Sequence, residues 1–287
     1  MALLEVKNLS VVYGKGTPFE KAAVQNVNFS IEAGEFIGVI GHTGSGKSTL
    51  IQTLNGLIKP TDGQVLLEGR DIWKEPKKIR AVRFKVGMVF QYPENQLFEE
   101  TVLKDISFGP GNMGLTAAEI EKRARNAAKF VGLPDALLEK SPFELSGGEK
   151  RRVAIAGVIA MDPDVLILDE PTAGLDPGGR DVLLSQLLSY HAQRHNTILL
   201  VSHSMEDVAR VADRVLVMNE SHLEMLDKTA NVFAQDQRLE QIGLKVPQIT
   251  KIMSILKSDG YPVETVLTME QAVTQLLSLV NKGGAAV

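Results

Sequence analysis

Residues 41–48 are Gly41-His42-Thr43-Gly44-Ser45-Gly46-Lys47-Ser48, a match to the pattern G-x-x-x-x-G-K-[ST]. An apolar run that predicts a buried strand precedes this phosphate loop, and a predicted helix begins at Thr49. Glycines permit a tight turn that directs successive N–H groups at phosphate oxygens, and the helix start adds its positive end. Lys47 would reach the β- and γ-phosphates, and Ser48 would offer its hydroxyl to Mg²⁺. We therefore predict a nucleoside triphosphate site with contacts from residues 41–49, where His42 acts through its backbone.

The composition predicts a globular protein that reaches a membrane only through partners. The chain has 287 residues, 44% of them hydrophobic and 23% charged, enough for one large domain with an appendage. A net charge of −4 offers no basic field for nucleic acid, and the lack of cysteine excludes disulfides and thiol chemistry. Its apolar runs are too short to cross a bilayer, and its first residues are charged too early for a secretory signal.

The strand pattern predicts a parallel sheet around the phosphate loop. Residues 3–40 are rich in strand-like segments, and further apolar runs follow at residues 165–169, 197–202 and 214–218. A helical pattern lies between the first two of these runs. A phosphate loop followed by strand, helix and strand indicates parallel pairing with right-handed crossovers.

Two other regions have a helical pattern. Residues 91–161 contain a predicted helix that begins with the capping box Thr116 and Glu119, which indicates an inserted helical subdomain. We expect this subdomain to interrupt a single larger domain over residues 1–245. Residues 246–287 contain two amphipathic helical stretches and predict a small C-terminal extension.

Two acidic residues follow the most apolar predicted strand. Four apolar residues, 165–168, predict a strand buried on both faces, and Asp169 emerges at its carboxyl end, where parallel sheets bind ligands. Asp169 suits a Mg²⁺ ligand, and Glu170 is placed to orient or deprotonate a water that attacks the γ-phosphate. The alternative is a strand that ends in two solvated acids, which the phosphate loop 122 residues upstream disfavours.

A second glycine-rich helix start lies at residues 145–149, Leu145-Ser146-Gly147-Gly148-Glu149. Ser146 is a predicted N-cap, and the two glycines leave the first N–H groups open for an anion. Because the phosphate loop already supplies donors for one nucleotide, we expect this signature stretch to serve a nucleotide on a partner subunit. The alternative is a glycine-rich turn into a surface helix.

These three stretches, in this order, resemble the ATP-binding-cassette (ABC) ATPases over roughly residues 3–245. The resemblance implies an α/β fold, with a RecA-like parallel-sheet core, an antiparallel β-subdomain at the N-terminus, the inserted helical subdomain and the C-terminal extension. It also implies ATP and Mg²⁺ as cofactors. Glu149 stands where the family usually has glutamine, and we expect little loss because Ser146 and the backbone N–H groups contact the phosphate.

The resemblance assigns four further positions. Tyr13 matches the aromatic residue that stacks on adenine, although it could be an ordinary strand residue. Gln91 matches the glutamine that senses Mg²⁺ and the attacking water and links to the transmembrane partner. Asp176 matches the polar contact of a loop that crosses the dimer interface, and His203 matches the switch histidine at the γ-phosphate. The expected catalytic residues are Glu170, Gln91 and His203. The expected metal ligands are Ser48, Gln91 and Asp169.

A narrower similarity points to the ATPases of energy-coupling-factor transporters. It rests on His42-Thr43, on residues 17–20, on the segment from Phe90 to Val102 (Phe90-Gln91-Tyr92-Pro93-Glu94-Asn95-Gln96-Leu97-Phe98-Glu99-Glu100-Thr101-Val102) and on residues 108–112. The resemblance implies the second of two paralogous ATPases, with a transmembrane coupling protein and a substrate-binding membrane protein as partners. It implies a peripheral position on the cytoplasmic side of the cell membrane, and a C-terminal extension that holds the two ATPases together.

Other classes of ABC ATPase remain as alternatives. They are the ATPase of an exporter or a metal importer, and a soluble ATPase that acts on nucleic acid or ribosomes, which usually has a coiled-coil insertion or two cassettes in one chain. A regulatory subunit without activity is disfavoured by Glu170. The basic run from Lys74 to Lys85 predicts a solvated face, with contact to lipid headgroups as the lesser alternative.

Overall fold

The structure, a computed structural model, describes residues 2–283, with side chains to residue 279. The strands are β1 (Leu4–Tyr13), β2 (Lys21–Ile31), β3 (Phe36–Ile40), β4 (Asp62–Leu67), β5 (Arg70–Asp71), β6 (Val86–Val89), β7 (Val165–Asp169), β8 (Thr197–Val201), β9 (Arg214–Asn219) and β10 (His222–Lys228). The helices are α1 (Lys47–Leu54), α2 (Ile79–Lys85), α3 (Val102–Gly111), α4 (Ala117–Phe130), α5 (Gly147–Ile159), α6 (Pro177–Arg194), α7 (Met205–Val211), α8 (Thr229–Phe233), α9 (Asp236–Gln241), α10 (Gln248–Ser258) and α11 (Met269–Gly283).

A mixed sheet forms the centre of the fold. In the described residues its order is β10-β9-β3-β8-β7-β6, in which every pair is parallel except β9 with the edge strand β10. The parallel core was predicted, whereas β10 was not, because its pattern of partly buried residues lacks a clear apolar run. The sheet brings the carboxyl ends of β3, β7 and β8 to one edge, which positions the phosphate loop, Asp169 and the residues after β8.

Helices and a second sheet cover the two faces of the central sheet. Within residues 2–283, β1, β2, β4 and β5 form an antiparallel sheet in the order β2-β1-β4-β5. Alternate residues of β7 face opposite sides: Leu166 and Leu168 belong to the apolar cluster with α4, α5 and α6. Val165 and Ile167 belong to the cluster with the antiparallel sheet. This alternation explains why the strand is apolar throughout, and the fold class predicted above is confirmed.

The inserted region contains α3, α4 and α5. Thr116 and Glu119 form the predicted capping box at α4, since each side chain accepts a hydrogen bond from the other residue's backbone N–H. Alanines of α4 pack against α3 and α5 in the same apolar cluster. The helix α2 was missed by sequence reasoning, because its residues form the basic run and none of them is fully buried.

The C-terminal region has its own small apolar cluster. Met253 of α10 and Ala272 of α11 pack with Val263 and Val266 between the two helices. The capping pair Thr268 and Gln271 begins α11 as predicted. Residues 284–287 of the predicted extension lie outside the described part, and the division of the chain into domains stays a prediction. Between residues 2 and 283, no helix is long and apolar enough to span a membrane.

Gly38 of β3 lies beneath α7, where an added methyl group would overlap Val208 Cγ1. Val208 is fully buried and β-branched, so it has little room to move. Gly38→Ala should therefore lower the free energy of unfolding by about 1–3 kcal/mol, measured by urea denaturation. Gly111→Ala is the matched control, because nothing lies within 4 Å of its added methyl. Equal destabilisation of the two variants would contradict close packing at Gly38.

Candidate nucleotide-binding site

The phosphate loop joins β3 to α1, and two of its glycines lie very close to backbone carbonyls of neighbouring strands. Gly41 (φ 156°) and Gly46 (φ 101°) have positive φ values that side chains rarely adopt. A methyl group on Gly41 would overlap the carbonyl oxygen of Met218 in β9, and one on Gly46 would overlap that of Ala23 in β2. The loop is therefore held between the two sheets, and it directs the start of α1 into the cavity described next.

A cavity of about 350 Å³ lies over the phosphate loop. It brings together five side chains from four separate parts of the chain: Tyr13, Gln91, the adjacent Asp169 and Glu170, and His203. Six loop residues also line it: Thr43, Gly44, Gly46, Lys47, Ser48 and Thr49. The predicted contacts Gly41, His42 and Ser45 are not among the lining residues; Ser45 is fully buried and its carbonyl accepts a hydrogen bond from Ser221 N–H at 3.1 Å. Their contact with a nucleotide stays a prediction.

The ammonium group of Lys47 donates hydrogen bonds to backbone carbonyls of the phosphate loop. Its Nζ donates to the carbonyl oxygens of Gly41 (2.7 Å) and His42 (3.0 Å), and the residue is buried. Burial lowers the pKa of Lys47, and the nearby carboxylates of Glu170 and Asp169 oppose that effect. A fixed cation therefore lies at the floor of the cavity, where it suits the negative charge of phosphate oxygens.

The acidic pair emerges from β7 in a strained turn. Glu170 has a φ of 53°, and its N–H donates to the Val201 carbonyl at 3.0 Å. Its Oε1 lies 3.3 Å from His203 Nε2, and its Oε2 accepts a 3.4 Å hydrogen bond from His203 N–H. Burial raises the pKa of Glu170 to about 7, with the His203 hydrogen bond opposing this rise. A carboxylate with a pKa near neutrality is well suited to accept a proton from water.

His203 and Asp169 complete the charged edge of the cavity. Burial lowers the pKa of His203, and the positive charge of Lys47 acts in the same direction. The imidazole is therefore largely neutral near pH 7 and can donate or accept a hydrogen bond. Burial raises the pKa of Asp169, while Lys47 opposes that rise.

The residues predicted to bind Mg²⁺ fit this ion in the presence of a nucleotide. Ser48, Gln91 and Asp169 line the same cavity and offer a hydroxyl, a carboxamide and a carboxylate oxygen. No group of three His, Cys, Asp or Glu side chains in residues 2–283 could hold a metal ion by itself. Mg²⁺ at phosphate sites needs only one or two carboxylates besides phosphate oxygens and water. The donor set therefore suits Mg²⁺ bound together with a triphosphate.

Tyr13 lies at the rim of the cavity, and its ring is half exposed. Its hydroxyl is 3.2 Å from Thr49 Oγ1, which links the end of β1 to the first turn of α1. Lys21 pairs with Tyr13 across β1 and β2 and also lines the cavity. Sequence reasoning missed Lys21, because only the register of the two strands places it beside Tyr13.

The signature stretch lies at a different cavity. Ser146 and Gly148 line a space of about 370 Å³ together with Gly174 and Asp176. Asp176 is already engaged within the chain, where it caps α6 by accepting a 2.7 Å hydrogen bond from Gly179 N–H. The predicted nucleotide contacts therefore fall into two groups, and Ser146, Gly147, Gly148, Glu149 and Asp176 do not join the phosphate-loop cavity of the same chain.

Glu149 forms a capping box with Ser146. Its carboxylate accepts hydrogen bonds from Ser146 N–H (2.8 Å) and Ser146 Oγ–H (2.7 Å), and its own N–H donates to Ser146 Oγ at 3.3 Å. These bonds hold the pKa of Glu149 below its ordinary value. The carboxylate thus fixes the hydroxyl at the start of α5 and places a negative charge beside it.

Comparison with known proteins identifies the family. Residues 24–173, just over half of the chain, match the family described as ABC transporter. A protein of Clostridium tetani described as energy-coupling factor transporter ATP-binding protein EcfA2 is 54% identical over 280 residues, covering 97% of each chain. The chain therefore belongs to the ABC transporter family, and it is an ATP-hydrolysing subunit coupled to transport.

Solved structures have the same fold. The cbiO1 protein of Clostridium perfringens, described as part of the ABC transporter complex cbiONQ, is 40% identical with a TM-score of 0.75. The similarity covers 88% of this chain and 99% of that one. The ATP-binding cassette MJ0796, solved as a dimer bound to ADP and Pi, is 28% identical with a TM-score of 0.70 and covers 79% of this chain and 98% of its own.

The position of Glu170 predicts that its carboxylate is needed for turnover but not for binding. Glu170→Gln should lower kcat for ATP hydrolysis by about 100-fold or more, because an amide does not accept the proton of water. ATP affinity should stay within about threefold, and the ATP-bound dimer should accumulate. Phosphate release and equilibrium binding measure the two effects, with Glu121→Gln on the surface of α4 as the control. Unchanged hydrolysis would remove Glu170 from the role of base.

The capping box predicts that Glu149 can be replaced by glutamine but not by alanine. Glu149→Gln should leave the free energy of unfolding nearly unchanged, since the amide oxygen can accept the same hydrogen bonds. Glu149→Ala should lower it by about 1 kcal/mol, because Ser146 loses its acceptor. Urea denaturation of both variants provides the measurement. A glutamine variant as unstable as the alanine variant would show that the charge, rather than the hydrogen bonds, stabilises α5.

Proposed function

We propose that this chain is one of two ATPase subunits of an energy-coupling-factor transporter, and that it powers the uptake of vitamins or other micronutrients. One observation carries the proposal: the residues predicted to contact nucleotide are divided between two cavities of the same chain. A complete site then needs the signature stretch of a second cassette. The similarity to energy-coupling factor transporter ATP-binding proteins supports the transporter class, and the dimeric state of MJ0796 with ADP and Pi supports the paired arrangement.

The proposed reaction is hydrolysis of ATP between two cassettes. The phosphate loop and Lys47 of one chain bind the β- and γ-phosphates, while Tyr13 stacks on adenine. Ser48, Asp169 and Gln91 would hold Mg²⁺, which would neutralise phosphate charge. Glu170 orients the attacking water and accepts its proton, and His203 contacts the γ-phosphate.

The second cassette supplies the rest of each site. Ser146 and the open N–H groups of Gly147 and Gly148 contact the γ-phosphate from across the interface, and Asp176 lies at the same boundary. Loss of the γ-phosphate removes the bridge between the cassettes, so the two chains part. Binding and hydrolysis thereby become closure and opening, which act on a membrane partner.

A groove of about 460 Å³ suits a helix of the transmembrane coupling protein. It lies between α2, α3 and α5 and the segment after Gln91. Phe98 and Phe108 are exposed at its edge, with ring centroids 4.9 Å apart in an edge-to-face arrangement. Exposed aromatic residues around an apolar groove are typical of helix recognition. Phe90 lines this groove and the next residue, Gln91, lines the nucleotide cavity, so this short segment can respond to both.

The C-terminal helices suit a contact with the second ATPase. Several large apolar side chains of this region stay exposed after α10 and α11 pack together: Ile252, Ile255, Tyr261, Met269, Val273 and Leu277. An apolar surface of this kind is expected to be covered by another chain. We propose a paralogous ATPase as that chain, so that the pair persists when the nucleotide sites open.

The proposed location is the cytoplasmic side of the cell membrane, where the chain is held by its partners. The net charge of −4 offers little attraction to nucleic acid or to an anionic membrane. The alternatives, an exporter ATPase, a metal importer ATPase or a soluble ATPase acting on nucleic acid or ribosomes, predict different partners. Identification of those partners therefore tests the proposal most directly.

Affinity purification from detergent-solubilised membranes should retrieve three proteins with the tagged chain. We expect a paralogous ATPase, a membrane coupling protein and a small substrate-binding membrane protein, identified by mass spectrometry. Phe98→Asp with Phe108→Asp should lose the membrane proteins but keep the ATPase, because charges in the groove oppose helix docking. Ile255→Asp with Val273→Asp should weaken retention of the ATPase. Retrieval of ribosomes or nucleic acid would overturn the transporter proposal.

A further inference from the structure

Arg151 is a buried cation near the start of α5, two residues after the signature stretch. Its side chain is only 6% exposed. Its guanidinium contacts two loops that lie far apart in the sequence, the turn after Gln91 and the loop after Glu170. A guanidinium presents donors in a rigid planar fork, so its contacts fix relative positions rather than merely neutralise charge.

The first contact is a paired ion bridge to Glu94. Arg151 Nη2 donates to Glu94 Oε1 at 2.8 Å, and Nε donates to Oε2 at 3.2 Å. Burial would raise the pKa of Glu94, but the hydrogen bonds from Arg151 hold that pKa below its ordinary value. The carboxylate therefore stays charged and paired at neutral pH, in a geometry that is strong and directional.

The second contact is with the loop after the proposed base. Arg151 Nη1 donates to the carbonyl oxygens of Pro171, at 3.2 Å, and of Ala173. Between these two carbonyls, Thr172 Oγ1 donates to the buried carboxylate of Asp207 at 3.0 Å, at the start of α7 after His203. The loop that begins at Glu170 is thus tied on one side to α5 and on the other side to the segment of His203.

The Glu94 end of this bridge lies in the turn that leads into the wall of the groove. Glu94 lies in a short helical turn, Pro93–Gln96, and the next residues, Leu97 and Phe98, line the groove. Phe98 N–H is fixed by a 3.1 Å hydrogen bond to Asp105 of α3. α5 lines the same groove with Val153 and Gly157. A helix seated in the groove would therefore press on the turn that carries Glu94 and on α5.

We propose that Arg151 is a positioning residue that couples occupancy of the groove to the placement of Glu170. The inference rests on the proposed function, since the groove must receive a membrane partner. A buried charge that loses its partner is costly, so Glu94 and Arg151 move together. Any shift of the Pro93–Gln96 turn then moves the carbonyls of Pro171 and Ala173 and, through them, the carboxylate at residue 170.

The test compares ATP hydrolysis by the purified transporter complex in lipid nanodiscs with that by the ATPase pair alone. In the wild type, the membrane partner should raise kcat. Glu94→Gln should reduce this rise by roughly fivefold, because a neutral amide leaves Arg151 without its paired charge. KM for ATP should stay within about twofold, since Glu94 does not touch the nucleotide cavity, and the rate of the pair alone should change little.

Two further variants separate coupling from general damage. Glu100→Gln removes the carboxylate of an exposed pair with Lys104 in the same segment and should keep the full rise in kcat. Arg151→Lys should reproduce Glu94→Gln, and the double variant should be no worse than the stronger single variant, because both remove one interaction.

The outcomes distinguish this inference from the proposed function. If no membrane proteins co-purified with the wild-type chain, the proposed transporter function itself would be overturned. The coupling role of Arg151 would be overturned by an intact complex in which Glu94→Gln keeps the full rise in kcat, or in which the losses from Glu94→Gln and Arg151→Lys multiply. A wild-type pair that is equally fast with and without its membrane partner would also overturn it.

Discussion

The close approach of two loop glycines to backbone carbonyls is the constraint on which the site depends. Gly41 lies against Met218 of the parallel sheet, and Gly46 lies against Ala23 of the antiparallel sheet. No side chain fits at either position, so the phosphate loop forms only where the two sheets meet. This position brings Lys47 beside the acids at the end of β7 and places Tyr13 at the rim of the nucleotide cavity.

Burial then determines the chemistry of the charged residues. Lys47, Asp169 and Glu170 all lie largely out of water in one cavity, and each carries a pKa shifted by burial toward its neutral form. For Glu170 the shift brings the pKa to about 7, where proton transfer from water becomes feasible at physiological pH. Partial burial and the positive charge of Lys47 lower the pKa of His203 beside it. The reactive end of the cavity thus results from desolvation more than from ion pairing.

The second cavity is the feature on which the proposed dependence on another subunit rests. Ser146, its capping partner Glu149 and the loop ending at Asp176 lie together, but apart from the phosphate loop. Glutamate in place of the usual glutamine preserves the helix start because both side chains can accept the same hydrogen bonds. Arg151, two residues further along α5, links this helix to the groove wall and to the loop after Glu170. In the proposed function, the sites for the nucleotide, the partner subunit and the membrane partner therefore lie along one helix.

Local interactions could be predicted from the sequence, and long-range ones could not. The N-cap at Ser146 and the capping box of α4 depend on residues within a few positions of one another, so the sequence alone determined them. The phosphate loop could be recognised from eight consecutive residues, although its placement depends on the two sheets. The apolar run of β7 likewise predicted a parallel core with Asp169 at its end. The fork between Arg151 and Glu94 joins residues 57 positions apart, and Lys21 reaches the cavity only through strand register. The pKa of Glu170 depends on burial by elements remote in sequence. These features were decided by tertiary structure alone, because distance, register and desolvation arise only when the sheets and helices pack.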